Sequence, residues 1–133
     1  DRQTDMVAIP ADYHDLFEKR TFAHVATTLP DGAPHVTPTW IDYDAADERL
    51  LVNTERHRQK ARNVDRNPQV GVSMLDPDDP YRYLSVVGAV EAVTTEGARA
   101  HIDELARRYT GSDYEPEIES ERVLLRIRAD RLI

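Results

Sequence analysis

The sequence predicts a mostly β protein, a barrel of about six strands carrying two or three helices, and three observations lead there. Stretches rich in β-branched residues recur between turn signals: FAHVATTL before Pro30-Asp31-Gly32, HVTPTWIDY before an acidic turn, and RLLVNT before a basic segment. The longest strand candidate, Tyr81–Val93 (YRYLSVVGAVEAV), carries Gly88 at its middle, where a bend or bulge lets a sheet curl. Helical spacing of apolar residues is confined to short segments.

Taken in order, residues 1–9 are polar and unpatterned and read as an arm. Pro10 suits a first helical turn and Tyr13, Leu16 and Phe17 share a face, which predicts a short helix up to Arg20. Phe22–Leu29 and His35–Tyr43 form a hairpin. With its turn centred on Asp31-Gly32, Leu29 faces Pro34, His24 faces Thr39 and His35 faces Thr28. That register keeps His24 and His35 apart and argues against a metal site built from them. Arg49–Thr54 is a third strand, and a basic helix runs from about His57 until Asn67-Pro68 stops it. Gln69–Leu75 returns to strand, Asp76-Pro77-Asp78-Asp79-Pro80 is a rigid acidic loop, and the long strand follows. Thr95 is placed to cap a helix from Glu96 to Tyr109, whose Ala98, Ile102, Leu105, Ala106 and Tyr109 fall at helical spacing and would plug one face of the barrel. His101 on that helix reads as a packing or surface residue, because Glu104 is its sole co-ligand one turn away. After an acidic loop over Thr110–Ser120, Arg122–Arg128 alternates Val123, Leu125 and Ile127 against Arg122, Arg126 and Arg128, a last strand with one mostly wet face. No repeat interrupts this order, and residues 1–133 read as one domain.

Composition narrows the function. A chain of 133 residues is large enough for a core, yet its burial is incomplete unless it pairs with a copy of itself. With 40% apolar and 32% charged residues, and no run of eighteen apolar residues, it is not expected to sit in a membrane. No basic-then-apolar leader directs export, so a cytoplasmic location is expected. The absence of cysteine excludes disulfides, thiolate catalysis and zinc ribbons. A net charge of −8 argues against a general nucleic-acid binder.

Within that acidic chain one window is basic. From Glu55 to Arg66 the bases Arg56, Arg58, Lys60, Arg62 and Arg66 meet only the acids Glu55 and Asp65. It lies where a strand hands over to a helix N-terminus, the place where anions bind. A charge run is usually a solvated helix face, but two details point further. Lysine occurs only at positions 19 and 60, against fifteen arginines, and Lys60 sits one turn into the helix within reach of a phosphate over the first amides. Asn53 and Thr54 add an amide and a hydroxyl at the strand end.

Assembled catalytic machinery is otherwise missing. There is no Walker loop, GxGxxG, HExxH or GxSxG, the five histidines are scattered, and paired carboxylates such as Asp78-Asp79 lie in loops. A protein with one anion clamp and little chemistry of its own fits a cofactor enzyme.

Residues 50–93 read as strand, N-T, four residues, Q-K-A, N-P-x-V-x-V, then Y-x-x-V-V-G-x-V. In this the chain resembles the pyridoxamine 5′-phosphate oxidase-like, FMN-binding split β-barrel proteins, and more closely their deazaflavin (F420)-dependent oxidoreductases. The likeness rests on VTPTWIDYD, LLVNTERHRQKARNVDRNPQVGVSM, DPDDPYRYLSVVGAVEAV and GARAHIDELARRYTG, in family order, and spans about Phe22 to Ile127. It implies a split β-barrel homodimer with cofactor sites at the subunit interface. It also implies Thr54, Arg58, Gln59 and Lys60 around the cofactor phosphate, the ring system along Thr37-Pro38-Thr39-Trp40, and Tyr83 where a partner or neighbouring strand reaches the flavin. Trp40 and Tyr83 equally suit core aromatics.

The departures refine what the resemblance implies. The chain ends in RVLLRIRADRLI, without the basic C-terminal motif that holds pyridoxine phosphate, so pyridoxamine phosphate oxidation is disfavoured. His35 stands where FMN enzymes often carry arginine, which leaves Arg56 and Arg58 for the phosphate and oligoglutamate tail of F420. The implied activity is hydride transfer from reduced F420 to an enone, quinone, tetrapyrrole or nitroarene, with Tyr83 or water as proton source and no metal. An FMN oxidoreductase and a non-catalytic F420 or flavin binder are the alternatives, since all share the clamp.

Overall fold

The computed structural model describes residues 6–133. The arm expected over residues 1–9 therefore lies outside the described residues in its first five positions; of the rest, Val7 donates its N–H to the Ala129 carbonyl at 2.9 Å and Ile9 is buried.

A single antiparallel sheet carries the fold. Its strands are β1 (Phe22–Thr28), β2 (Pro34–Trp40), β3 (Asp42–Asp44), β4 (Arg49–Glu55), β5 (Gln69–Leu75), β6 (Tyr83–Thr94) and β7 (Arg122–Leu132). They lie in the order β2-β1-β5-β6-β7-β4-β3. Around them are a 3₁₀ helix (Ala11–Phe17), α1 (Gln59–Arg66) and α2 (Ala98–Thr110). The fold is mostly β, as the sequence predicts, with seven strands where about six were expected.

The extra strand comes from Ile41. Its N–H is bound by the Tyr109 hydroxyl at 3.1 Å and its carbonyl by Arg108 at 3.0 Å, so this peptide leaves the ladder and splits the expected strand His35–Tyr43. Its two parts sit on opposite edges of the sheet, and the chain crossing between them curls the sheet into a half-barrel.

The β1–β2 hairpin differs from expectation by one residue. Thr28 faces Pro34, Thr27 faces His35 and His24 faces Pro38. The loop is three residues long, closed by the Leu29 N–H on the Ala33 carbonyl at 2.8 Å, with Gly32 at φ +91° supplying the left-handed step. His24 and His35 stay apart, with His24 exposed. Among the described residues no three metal-ligating side chains gather.

Sequence also misplaces the start of α2. Strand β6 continues to Thr94, whose hydroxyl accepts the Glu96 N–H at 3.1 Å, and the cap is Gly97 at φ +73° rather than Thr95. Gly88 is the bend it was expected to be, with the β6–β7 register slipping between Val87 and Gly88.

One core fills the half-barrel, with Leu16, Ile41, Leu50, Met74, Leu125 and Ile127 fully buried. A smaller cluster under α2 joins Ile102, Leu105 and Tyr109 to Trp40 and Tyr114. Strand β4 is consequently covered on both faces: Leu50 and Val52 enter the core, while Leu51, Asn53 and Glu55 are buried on the other side.

The 3₁₀ helix is tied to the β5–β6 connection by charge. Asp76 accepts from Lys19 at 2.9 Å, Arg82 at 2.7 Å and the Asp78 N–H at 2.8 Å, and Arg82 also binds Asp15 at 2.7 Å. The Asp78 amide, with Lys19 and Arg82, holds the Asp76 carboxyl well below the usual carboxylate range. Such a carboxylate stabilises the fold above its unfolded pKa near 3.9 and loses that contribution as pH falls through the lower folded value. Asp76→Asn is therefore expected to melt lower than the native chain at pH 7 and to lose less on acidification below about pH 4. Melting curves that run parallel across that range would remove Asp76 from the acid response.

Candidate functional site

Where β4 hands over to α1, the chain turns through Arg56, His57 and Arg58, with the Arg58 N–H on the Glu55 carbonyl at 3.0 Å. Arg58 is the N-cap of α1, and no side chain caps the helix. Beside this turn lies an open cavity of about 230 Å³. Arg58, Lys60, Asn53, Thr54 and Arg122 line its polar side, and Phe22, Pro38, Thr39, Trp40, Ile102 and Tyr114 line the rest.

Charge on the polar side is unbalanced. Lys60 is only 8% exposed, and among the described residues neither it nor Arg58 has a carboxylate within ion-pair distance. Burial, reinforced by Arg58 and Arg122, pushes the Lys60 ammonium below its ordinary value. Arg122, also 8% exposed, has Glu55 at 3.6 Å and Tyr114 with its ring centre 5.1 Å from the guanidinium carbon. Glu55 offers little further compensation, since it accepts the N–H groups of Ser120 at 2.7 Å and Glu119 at 2.9 Å. Burial raises its carboxyl, but these amides and Arg122 outweigh that and hold it below the usual range.

Cations buried without partners are costly, and an anion bound among them removes the cost. The rest of the lining is rich in aromatic side chains. Trp40 stacks on Tyr109 at 4.9 Å and 14° and meets Tyr114 edge-on at 6.2 Å. A ligand with an anionic tail and a planar ring system fits both halves.

Of the residues singled out from the sequence, the structure gathers Pro38, Thr39, Trp40, Asn53, Thr54, Arg58 and Lys60 around the cavity. The remainder lie elsewhere in the chain. Arg56 binds Glu121 at 2.9 Å, and Gln59 is held along α1 by Asn63 and Arg62, each at 2.7 Å. Thr37 is half-buried with its hydroxyl unpaired among the described residues. Tyr83 stands 56% exposed on β6, opposite Leu75. The Asn53 amide donates to the Ala98 carbonyl at 2.8 Å and accepts from Arg122 at 2.9 Å, so it supports the wall from inside.

Phe22, Ile102, Tyr114 and Arg122 line the cavity without having been singled out from the sequence, and Arg122 is the charged one among them. Alternation along RVLLRIR put it on a wet face, yet α2 and the loop over residues 111–121 cover this end of β7. Leu124 was the available signal: it breaks the alternation on the same face as Arg122 and is buried beside it.

Comparison with known proteins follows the same lines. A solved F420 reductase is similar over 94% of this chain and 98% of its own, at 37% identity and a TM-score of 0.81. A conserved hypothetical protein from Mycobacterium tuberculosis is similar over 99% of this chain and 87% of its own, at 30% identity and a TM-score of 0.72. A Listeria innocua protein described as a putative pyridoxamine 5′-phosphate oxidase shares the fold, at 18% identity over 84% of this chain and 86% of its own, with a TM-score of 0.60. Among curated proteins none matches. Residues 9–133 match the pyridoxamine 5′-phosphate oxidase family, and the chain belongs to that family of split β-barrels.

Proposed function

We propose that the chain is an F420-dependent oxidoreductase that passes a hydride from reduced F420 to a conjugated small molecule, such as an enone, quinone, tetrapyrrole or nitroarene. The observation that carries it is the buried Lys60, without a carboxylate partner among the described residues, beside Arg58 and Arg122 in a cavity with aromatic lining. The 37% identity to an F420 reductase over nearly the whole chain supports the choice of coenzyme.

When bound, F420 supplies the hydride. The residues of the chain supply position and charge. Lys60, Arg58 and Arg122, which line the cavity, would hold the phosphate, with the Thr54 hydroxyl as a further donor, and Pro38, Thr39 and Trp40 would bear against the ring. The proton that completes substrate reduction comes from water or, across the seam of the dimer proposed below, from the exposed Tyr83.

A homodimer completes the site in this proposal. A cavity of about 230 Å³ is below the roughly 300–1,000 Å³ usual for cofactor sites. Next to it the outer sheet face leaves Phe22 51%, Val36 55% and Tyr83 56% exposed, apolar surface suited to a second copy. Sedimentation is expected to give two chains per particle, and Val36→Lys to give one with weakened coenzyme binding. A native protein that sediments as one chain overturns the dimer.

Separate fluorescence titrations of the apoprotein with F420 and FMN test the cofactor. Tighter F420 binding, followed by oxidation of reduced F420 in the presence of enones or quinones, is expected. Preference for FMN rejects the cofactor assignment, and F420 binding without hydride transfer to any acceptor of the panel favours a non-catalytic binder.

A further inference from the structure

Behind the cavity, a line of hydrogen bonds runs from Arg122 across β4 to α2 and β3. Arg122 Nε donates to Asn53 Oδ1 at 2.9 Å. Asn53 Nδ2 lies 2.8 Å from the Ala98 carbonyl and 3.1 Å from His101 Nδ1. His101 Nε2 lies 2.9 Å from Asp42 Oδ2, and Asp42 Oδ1 accepts from Arg108 at 3.0 Å and from the Tyr43 N–H at 2.9 Å.

Donor and acceptor counting fixes the direction of every bond. A carbonyl only accepts, so the Ala98 oxygen requires the NH₂ side of Asn53 and leaves Oδ1 for Arg122, whose guanidinium only donates. The second amide hydrogen then faces His101 Nδ1, which must be a bare acceptor, and the single ring proton sits on Nε2 and is donated to Asp42. Burial raises the Asp42 carboxyl, but His101, Arg108 and the Tyr43 amide outweigh that and hold it below the usual range, so it stands as an ionised acceptor. The consequence reaches the cavity. With Nε committed to Asn53, Arg122 is left with its two Nη groups for Glu55 and for whatever anion enters.

We propose that His101 and Asn53 are positioning residues for Arg122: the Nε2–H tautomer of His101, set by Asp42, orients the Asn53 amide, which fixes the guanidinium that faces the anion. His101 is absent from the cavity lining and acts through Asn53 alone. Whether the anion is the F420 phosphate rests on the function proposed above; the hydrogen-bond line does not.

Two measurements separate the claims. In the unliganded native protein, ¹⁵N NMR is expected to show His101 protonated at Nε2 and bare at Nδ1, with the Arg122 Nε–H protected from exchange. A proton on Nδ1, or a freely exchanging Arg122 Nε–H, overturns the proposal. His101→Gln can accept from Asn53 and donate to Asp42, and is expected to keep both the Arg122 signal and the native F420 dissociation constant. His101→Leu can do neither, and is expected to lose the protected signal and weaken F420 by about fivefold, the cost of re-ordering one long side chain. Equal binding by the two variants overturns the positioning role, as does equal loss in both, which marks a purely structural contact. If F420 fails to bind even the native protein while the NMR result holds, the coenzyme assignment falls and the positioning of Arg122 stands.

Discussion

Lys60→Met is expected to weaken F420 binding and at the same time to raise the melting temperature of the unliganded protein. The first effect follows from the loss of a charged hydrogen bond to phosphate, about 1.5–3 kcal/mol, which is roughly ten- to a hundredfold or more in dissociation constant. The second follows from the state of Lys60 without ligand. Its ammonium is 8% exposed, has no carboxylate partner among the described residues, and is pushed below its ordinary pKa by burial and two neighbouring arginines. A lysine whose folded pKa lies below its unfolded value, near 10.4, weighs against folding at every pH below that unfolded value. Methionine keeps the apolar stem and removes the charge. A residue kept for packing would show loss of stability instead, so a fall in melting temperature with an unchanged dissociation constant removes Lys60 from the site. The opposed signs are what a binding residue produces when the unliganded fold bears the cost of its charge.

Gly88→Ala is expected to cost about 3 kcal/mol of stability and lower the melting temperature by about ten degrees or more. A Cβ at this position would stand 2.1 Å from the Arg128 carbonyl oxygen, a backbone atom with no rotamer by which to retreat. The residue sits at the β6–β7 bulge, where the two longest strands change register and the sheet curls. Gly71→Ala is the control. Its Cβ would meet only the Ala26 Cβ at 3.8 Å, an ordinary contact, so a near-neutral change is expected there. Chemical denaturation of both variants measures the contrast, and equal stability of the two would contradict the role of Gly88.

These two residues also mark how far the sequence could be read. Gly88 was legible because a glycine in the middle of a strand pattern has few local explanations. The bounds of β5, Gln69–Leu75, were legible because Pro68 and the Asp76-Pro77 turn enclose it. Lys60 stood out by rarity, and the cavity contains it. The hairpin register slipped by one residue because two loop lengths fit around Asp31-Gly32, and only the ladder distinguishes them. The crossing at Ile41 was hidden because its cause is distant: the Tyr109 hydroxyl and Arg108 lie 68 and 67 residues away along the chain.

The cation set shows the same division between local and long-range information. Proximity along the chain grouped Arg56, Arg58, Lys60, Arg62 and Arg66. Folding keeps Arg58 and Lys60 at the cavity, spends Arg56 on Glu121 and Arg62 on Gln59, and turns Arg66 to the Thr28 carbonyl. It then recruits Arg122 from the far end of the chain, across the β4–β7 ladder in which Glu55 faces Arg122. Composition counts charges, but the sheet register decides which of them meet.

A structure of the protein soaked with F420 tests the central claim most directly. The phosphate is expected within hydrogen-bonding distance of Lys60 and Arg122, with the deazaflavin ring against Pro38, Thr39 and Trp40. A phosphate bound elsewhere, with Lys60 and Arg122 as they stand without ligand, would contradict it.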